Sequence, residues 1–303
     1  MSKIAFLFPG QGAQAVGMCR ELEAELPAVR ALFDRANAVL GFDLRSICFD
    51  GPPEALEATD VSQPAIFVAS LAALESLKQT DPDVVRDCQG AAGLSLGEYT
   101  ALVFAGALDF ESGLEVVRRR GQAMQAAAVA SPSGMMSALG LDEAKADELC
   151  ARVAPHGRLW KANMLGPGNI VVSGDASALE HVEPIALELG AMKCIRLAVA
   201  GAFHTPLMKP ADEQLGEVLD RIDVRGPRIP VYSNVDASPH DDPAEIRKIL
   251  VTQVLQGVRW DESMRRMLAD GFDTFYEIGP GRVLTGLLKR IDRKAPCTNV
   301  PAR

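Results

Sequence analysis

At 303 residues the chain is long enough for one large domain, or for a large domain that carries a smaller one. Apolar residues make up 48% and charged residues 23%, a balance that excludes disordered and fibrous classes and predicts a packed core. Asp and Glu outnumber Lys and Arg by 40 to 31, and the net charge of -9 argues against a broad phosphate-binding face and so against nucleic acid as a partner.

In chain order, the first element is the run Ile4 to Phe8, apolar on both faces and stopped at once by Pro9-Gly10, which predicts a buried strand. The run is too brief for a signal-peptide core or a bilayer span, so no membrane association and a cytoplasmic location are expected. The loop Pro9-Gly10-Gln11-Gly12 leads into a helix. From Ser62 to Leu77 the apolar spacing predicts a buried helix, with Gln63-Pro64 at its start, where proline costs little. The stretch GAAGLSLGEYTALVFAGAL then reads as a strand, a sharp turn at Ser95 and a helix through Phe104.

Between about Met124 and Val199 the pattern is strand, helix, strand, strand, helix, strand. That order is βαββαβ, the ferredoxin-like arrangement, and it fits a small subdomain inserted in a larger body. Afterwards IPVYSNV predicts a strand, EIRKILVTQVL a helix, TFYEIGPG a strand ending in a turn, and VLTGLLKRI a helix. The expected fold is therefore α/β: an α/β-hydrolase-like core with a parallel sheet, residues 1–123 and 200–303, around an inserted ferredoxin-like subdomain at 124–199. The six cysteines form no CxxC pair and have no histidine at ligand spacing, which predicts small buried thiols in a reducing compartment and no metal site.

Gly93-Leu94-Ser95-Leu96-Gly97 matches G-x-S-x-G, in which small residues let a strained strand-to-helix turn lift a serine hydroxyl clear of a sheet. The helix behind it offers free N–H groups to a developing oxyanion. Five residues alone could equally be a chance glycine-rich turn; the flanking strand and helix raise the signal. A serine nucleophile needs a base, and there are only four histidines. His156, His181 and His240 lie in polar or loop stretches and read as surface or capping groups. His204, in the apolar loop AVAGAFHTPLM, would by itself read as a satisfied core histidine; beside a serine elbow it reads as the base.

FPGQGAQ, GLSLGEYTAL, the arginine in RRRG, GAFHTPLM, SNV, the glutamine in TQVL followed by VRW, and EIGPGRVLTGLLKRI run in that order over nearly the whole chain. Together they resemble the malonyl-CoA:acyl carrier protein transacylases, the acyltransferase family of fatty acid and polyketide synthesis. The resemblance implies transfer of a malonyl group from malonyl-CoA, as substrate, to the phosphopantetheine thiol of an acyl carrier protein, with no cofactor and a monomeric enzyme. It implies Ser95 as nucleophile and His204 as base, with the imidazole oriented by a backbone carbonyl near Gln253. The backbone N–H groups of Gln11 and Leu96 would form the oxyanion hole, Arg120 would hold the free malonyl carboxylate, and Phe203 would narrow the pocket against a branched acyl group. Two positions depart from the family pattern: Leu94 stands where a histidine usually precedes the serine, and Ala13 where a serine is common. Docking of an acidic carrier would need a local basic patch, for which Lys289, Arg290, Arg293 and Lys294, with Arg118 and Arg119, are candidates. Two rival readings remain: a serine thioesterase or other hydrolase, in which water accepts the acyl group, and a non-catalytic acyltransferase-like subunit of a larger acyl-processing assembly.

Overall fold

The structure is a computed structural model that describes residues 2–303. Strands β1 (Ile4–Phe8), β2 (Cys88–Gly93), β7 (Val231–Tyr232), β8 (Thr274–Gly279) and β9 (Cys297–Pro301) form one sheet in the order β7-β2-β1-β8-β9. Every pairing in it is parallel. The central strand β1 is buried on both faces, and its alternation divides the interior: Phe6 and Phe8 enter one apolar cluster, Ala5 and Leu7 another on the opposite face.

A second, smaller sheet is built from β3 (Ser133–Leu139), β4 (Leu159–Gly166), β5 (Asn169–Asp175) and β6 (Lys193–Arg196). Its order is β4-β5-β3-β6, wholly antiparallel, and the helices Glu143–Val153 and Ala176–Glu188 cover an apolar cluster of its own. The protein is thus a mixed α/β structure with a parallel sheet and a separate antiparallel one.

Two sequence expectations need correction, and one strand had no expectation at all. The helix expected from Ser62 begins at Thr59 and ends at Thr80, so Pro64 lies inside it rather than at its start. The extra turn is held by close packing: Gly121 of the neighbouring helix leaves room for the backbone of Thr59 and Asp60, and a Cβ there would stand 2.8 Å from the Thr59 carbonyl oxygen. The strand expected over IPVYSNV shrinks to Val231–Tyr232, because the next residues give their polar groups to the serine turn instead of a ladder. Finally, β9 follows the last helix, at the sheet edge, where half-buried residues ending in proline carry no periodic signal.

Candidate active site

The turn after β2 is made by glycines that admit no side chain. A Cβ on Gly93 would lie 1.9 Å from the Gly97 carbonyl carbon, and one on Gly97 would lie 2.1 Å from the Phe8 carbonyl oxygen. Between them Ser95 takes φ 52, a left-handed conformation that costs a non-glycine residue about 1–3 kcal/mol. The loop after β1 presses on the same turn, since a Cβ on Gly10 would meet the Leu94 carbonyl oxygen at 2.4 Å. That contact brings the backbone of Gln11 and Leu96 to one cavity. Neither of those two N–H groups has a protein acceptor among the described residues.

Ser95 Oγ is shared by two side chains that are distant along the chain. His204 Nε2 stands 2.8 Å from it, and Arg120 Nη2 donates to it at 2.9 Å. His204 Nδ1 faces the Gln253 carbonyl oxygen at 3.0 Å. A carbonyl can only accept, so Nδ1 carries the proton and the Nε2 lone pair faces the hydroxyl. Burial and then the Arg120 charge push the His204 pKa down to about 4, against the pull of the backbone carbonyls. The imidazole is therefore neutral at ordinary pH, the form a base requires. His204 also has positive φ, 61°, so both members of the pair sit on strained backbone.

Arg120 comes from the helix Phe110–Ala130 and is 1% exposed. Its Nη1 donates to Gln63 Oε1 at 2.6 Å and its Nη2 to Gln253 Oε1 at 3.0 Å, while Nε has no partner. The guanidinium also lies over the Tyr99 ring, 5.3 Å from its centre. Its charge is thus buried, with a spare donor, beside a cavity of about 90 Å³ that also meets Ser95, His204, Phe203, Leu94 and Asn163. Gln253 is not among the residues that line the cavity; its side-chain hydrogen bonds go to Arg120, the Ser95 carbonyl and Glu98.

Several residues at the site had no sequence signal of their own. Asn234 braces the turn on both sides, accepting from Ser95 N at 2.5 Å and donating to the Gly93 carbonyl at 2.7 Å. Glu98 accepts from Asn234 N and from Gln253 Nε2. Burial pushes the Glu98 carboxyl up to about 7, against those donors. Met124, Met135, Leu197 and Val199 complete the apolar wall. Asn234 within SNV and Glu98 within GLSLGEYTAL both sit in stretches that carry the resemblance, but neither pattern indicates these contacts.

The other histidines stand apart: His156 stacks on His181, with ring centres 3.6 Å apart, and His240 bridges Asp236 and Glu245. No group of three or more His, Cys, Asp or Glu side chains is arranged to hold a metal among the described residues. Nor is any of their helices long and apolar enough to cross a membrane. Of the basic candidates, Arg118 and Arg119 both pair with Glu115, whereas Lys289, Arg290, Arg293 and Lys294 have no acidic side chain within ion-pair distance among the described residues.

The family described as "Acyl transferase domain" matches residues 5–301. The chain belongs to that family. Among this acyl transferase's relatives is the malonyl CoA-acyl carrier protein transacylase of Bacillus subtilis, 44% identical over 97% of this chain and 92% of the relative. Acyl-carrier-protein-S-malonyltransferase from Bartonella henselae superposes with a TM-score of 0.94 at 38% identity, covering 98% of this chain and 95% of the other. A solved complex of a type II PKS acyl-carrier protein with its malonyl-transacylase superposes equally well, with a TM-score of 0.94 at 37% identity over 98% and 96% of the two chains. The acyl transferase therefore shares both its parallel and its antiparallel sheet with enzymes of known structure.

Proposed function

We propose that this acyl transferase moves a malonyl group from malonyl-CoA to the phosphopantetheine thiol of an acyl carrier protein, through a malonyl ester on Ser95. The observation that carries the reading is the single hydroxyl shared at 2.8 Å by a neutral imidazole and at 2.9 Å by a buried guanidinium. The first is what acyl transfer needs and the second is what a free carboxylate on the acyl group needs.

In the first half-reaction Ser95 Oγ attacks the thioester carbonyl carbon and its proton passes to His204 Nε2. The carbonyl oxygen, now an anion, is held by the N–H groups of Gln11 and Leu96. The C–S bond breaks, and the departing CoA sulfur takes the proton from His204. The second half runs the same steps in reverse, with the carrier thiol as attacking group and Ser95 Oγ leaving with the returned proton. Both donor and acceptor are substrates, so the cycle needs no cofactor. Phe203 beside His204 narrows the acyl cavity, so a methyl branch on the malonyl carbon is disfavoured by about 1–3 kcal/mol. The Leu94 side chain lines the cavity and, being apolar, offers the substrate no hydrogen bond.

The finer fold assignment belongs to the same reading. The strand–serine turn–helix on a parallel sheet supports an α/β-hydrolase-like core over 1–123 and 200–303, although the Arg120 helix runs on past that boundary to Ala130. The order β4-β5-β3-β6 supports a ferredoxin-like unit within 124–199. Six free cysteines accord with a cytoplasmic setting. The deciding experiment is incubation with radiolabelled malonyl-CoA, with and without holo carrier protein. Label is expected on Ser95 in the absence of carrier and on the carrier thiol in its presence. Free malonate released equally in both tubes would identify a hydrolase, and no label on Ser95 a non-catalytic subunit.

A further inference from the structure

One carboxylate oxygen outside the cavity touches both arms of the site. Glu98 is 3% exposed and stands in the first turn of the helix Gly97–Phe104. Its Oε2 accepts from the backbone N–H of Asn234 at 3.0 Å and from Gln253 Nε2 at 2.6 Å. Asn234 in turn grips the nucleophile turn, through Ser95 N and the Gly93 carbonyl. Gln253 holds the base and the guanidinium: its carbonyl faces His204 Nδ1, and its Oε1 accepts from Arg120. Its Nε2 also donates to the Ser95 carbonyl at 3.1 Å.

The geometry points to Glu98 as a positioning residue that locks Ser95 and His204 into one register, by tying the Asn234 segment and the Gln253 side chain to a single buried oxygen. This rests on the acyl-transfer reading of the site and deepens it. The two segments come from different parts of the chain, the end of β7 and the end of the helix Pro243–Gln253, and both strained residues depend on them. A buried hydrogen-bonded network of this kind fixes geometry only when every member is satisfied. Because both donors converge on the same oxygen, the requirement is for a correctly placed acceptor rather than for a charge.

Three variants separate placement from charge. Glu98→Gln keeps an acceptor oxygen at the same reach, Glu98→Asp keeps the charge but withdraws it by one methylene, and Glu98→Ala removes both. Misplacing a catalytic group by about 1 Å costs on the order of 100-fold in rate. The expectation is that kcat for malonyl transfer falls by about that factor in Glu98→Asp and Glu98→Ala, and by less than about five-fold in Glu98→Gln. KM for malonyl-CoA should stay within about two-fold in all three, because Glu98 is outside the cavity wall. The low-field proton resonance of His204 Nδ1–H should persist in Glu98→Gln and be lost or shifted in Glu98→Asp. Glu98→Ala and Asn234→Ala should not add, since each releases the same turn.

An active Glu98→Asp beside an inactive Glu98→Gln, additive losses, or a rise in KM with kcat unchanged would each overturn the assignment. The same variants are also titrated with an organophosphate that phosphorylates activated serines, which needs neither CoA nor carrier. If the parent protein fails to move malonyl yet reacts with the organophosphate, the transfer reading has failed, and the rank order of organophosphate rates still decides the role of Glu98.

Discussion

The hydroxyl of Ser95 receives a proton-sharing contact from Arg120 and gives its own proton to His204, so removing any one of the three has a distinct outcome. Ser95→Ala should leave the melting temperature unchanged and abolish covalent labelling by malonyl-CoA; surviving label would place the nucleophile elsewhere. Arg120→Ala should slow malonyl transfer by about 100-fold or more relative to acetyl transfer, since charge-assisted hydrogen bonds contribute about 1.5–3 kcal/mol each and only malonyl has a carboxylate to receive them. Equal losses for both acyl groups would remove that role. With His204 pushed down to about 4 by burial and the Arg120 charge, the proposed base stays unprotonated well below the ordinary histidine range. The acid limb of kcat/KM for Ser95 acylation should therefore stay level from neutrality to about pH 5 and fall only beyond it. A pH profile with its acid midpoint near the ordinary histidine value would contradict the geometry. The sequence singles out Ser95 through its glycine-flanked turn and His204 through its apolar loop, and Arg120 only through the resemblance; the three meet at one hydroxyl. Glu98, Asn234 and Gln63 were not legible there: an acid in a first helical turn reads as a complement to the helix dipole, and what distinguishes Glu98 is a pair of donors 136 and 155 positions away.

At the scale of elements, the serine turn exists because β1, β2 and the helix Gly97–Phe104 approach more closely than side chains permit. Gly97→Ala would set a methyl 2.1 Å from the Phe8 carbonyl oxygen, in backbone that cannot move aside without disturbing the central strand. Such overpacking costs about 1–3 kcal/mol, so a lowered melting temperature together with lost Ser95 labelling is expected; a stable, fully labelled variant would show the approach to be looser than described. The loop that follows Asn234 has its own fastening, in which His240 stands between Asp236 and Glu245. Burial lowers the His240 pKa, but the bonds to Glu245 and Asp236 outweigh it and the net shift is upward. A raised folded value means that this support is complete below the ordinary histidine pKa and disappears as pH rises through the raised one. His240→Gln should accordingly lower thermal stability more at pH 6 than at pH 9, as read by parallel melts. Among elements, β1, the serine turn and the last helix were plain from their patterns. The start of the Pro64 helix and the brevity of β7 were not, because interhelical contact at Gly121 and the claims of Glu98 on Asn234 decide them.

Over the whole molecule, three apolar clusters underlie two sheets, and the acyl cavity lies where the two sheets meet: Ser95 and Arg120 come from the larger unit, Met135 and Asn163 from the smaller. The overall charge of -9 would repel an acidic carrier, and we propose that the four cations near the last helix, which have no acidic partner among the described residues, offset that repulsion locally. Reversing Lys289 and Arg290 to Glu should raise KM for the carrier several-fold while leaving KM for malonyl-CoA unchanged, and the difference should shrink at high salt. An unchanged carrier KM would move the docking face elsewhere. The shared cavity wall has a separate consequence for how such enzymes diversify. Residues 133–196 begin and end side by side, on the antiparallel strands β3 and β6, and contain none of the proposed nucleophile, base and carboxylate clamp. Grafting that stretch from a relative would swap only Met135 and Asn163 of the cavity lining and leave Arg120 and Phe203, to which acyl selectivity is assigned, in the recipient, so preference and machinery are inherited together.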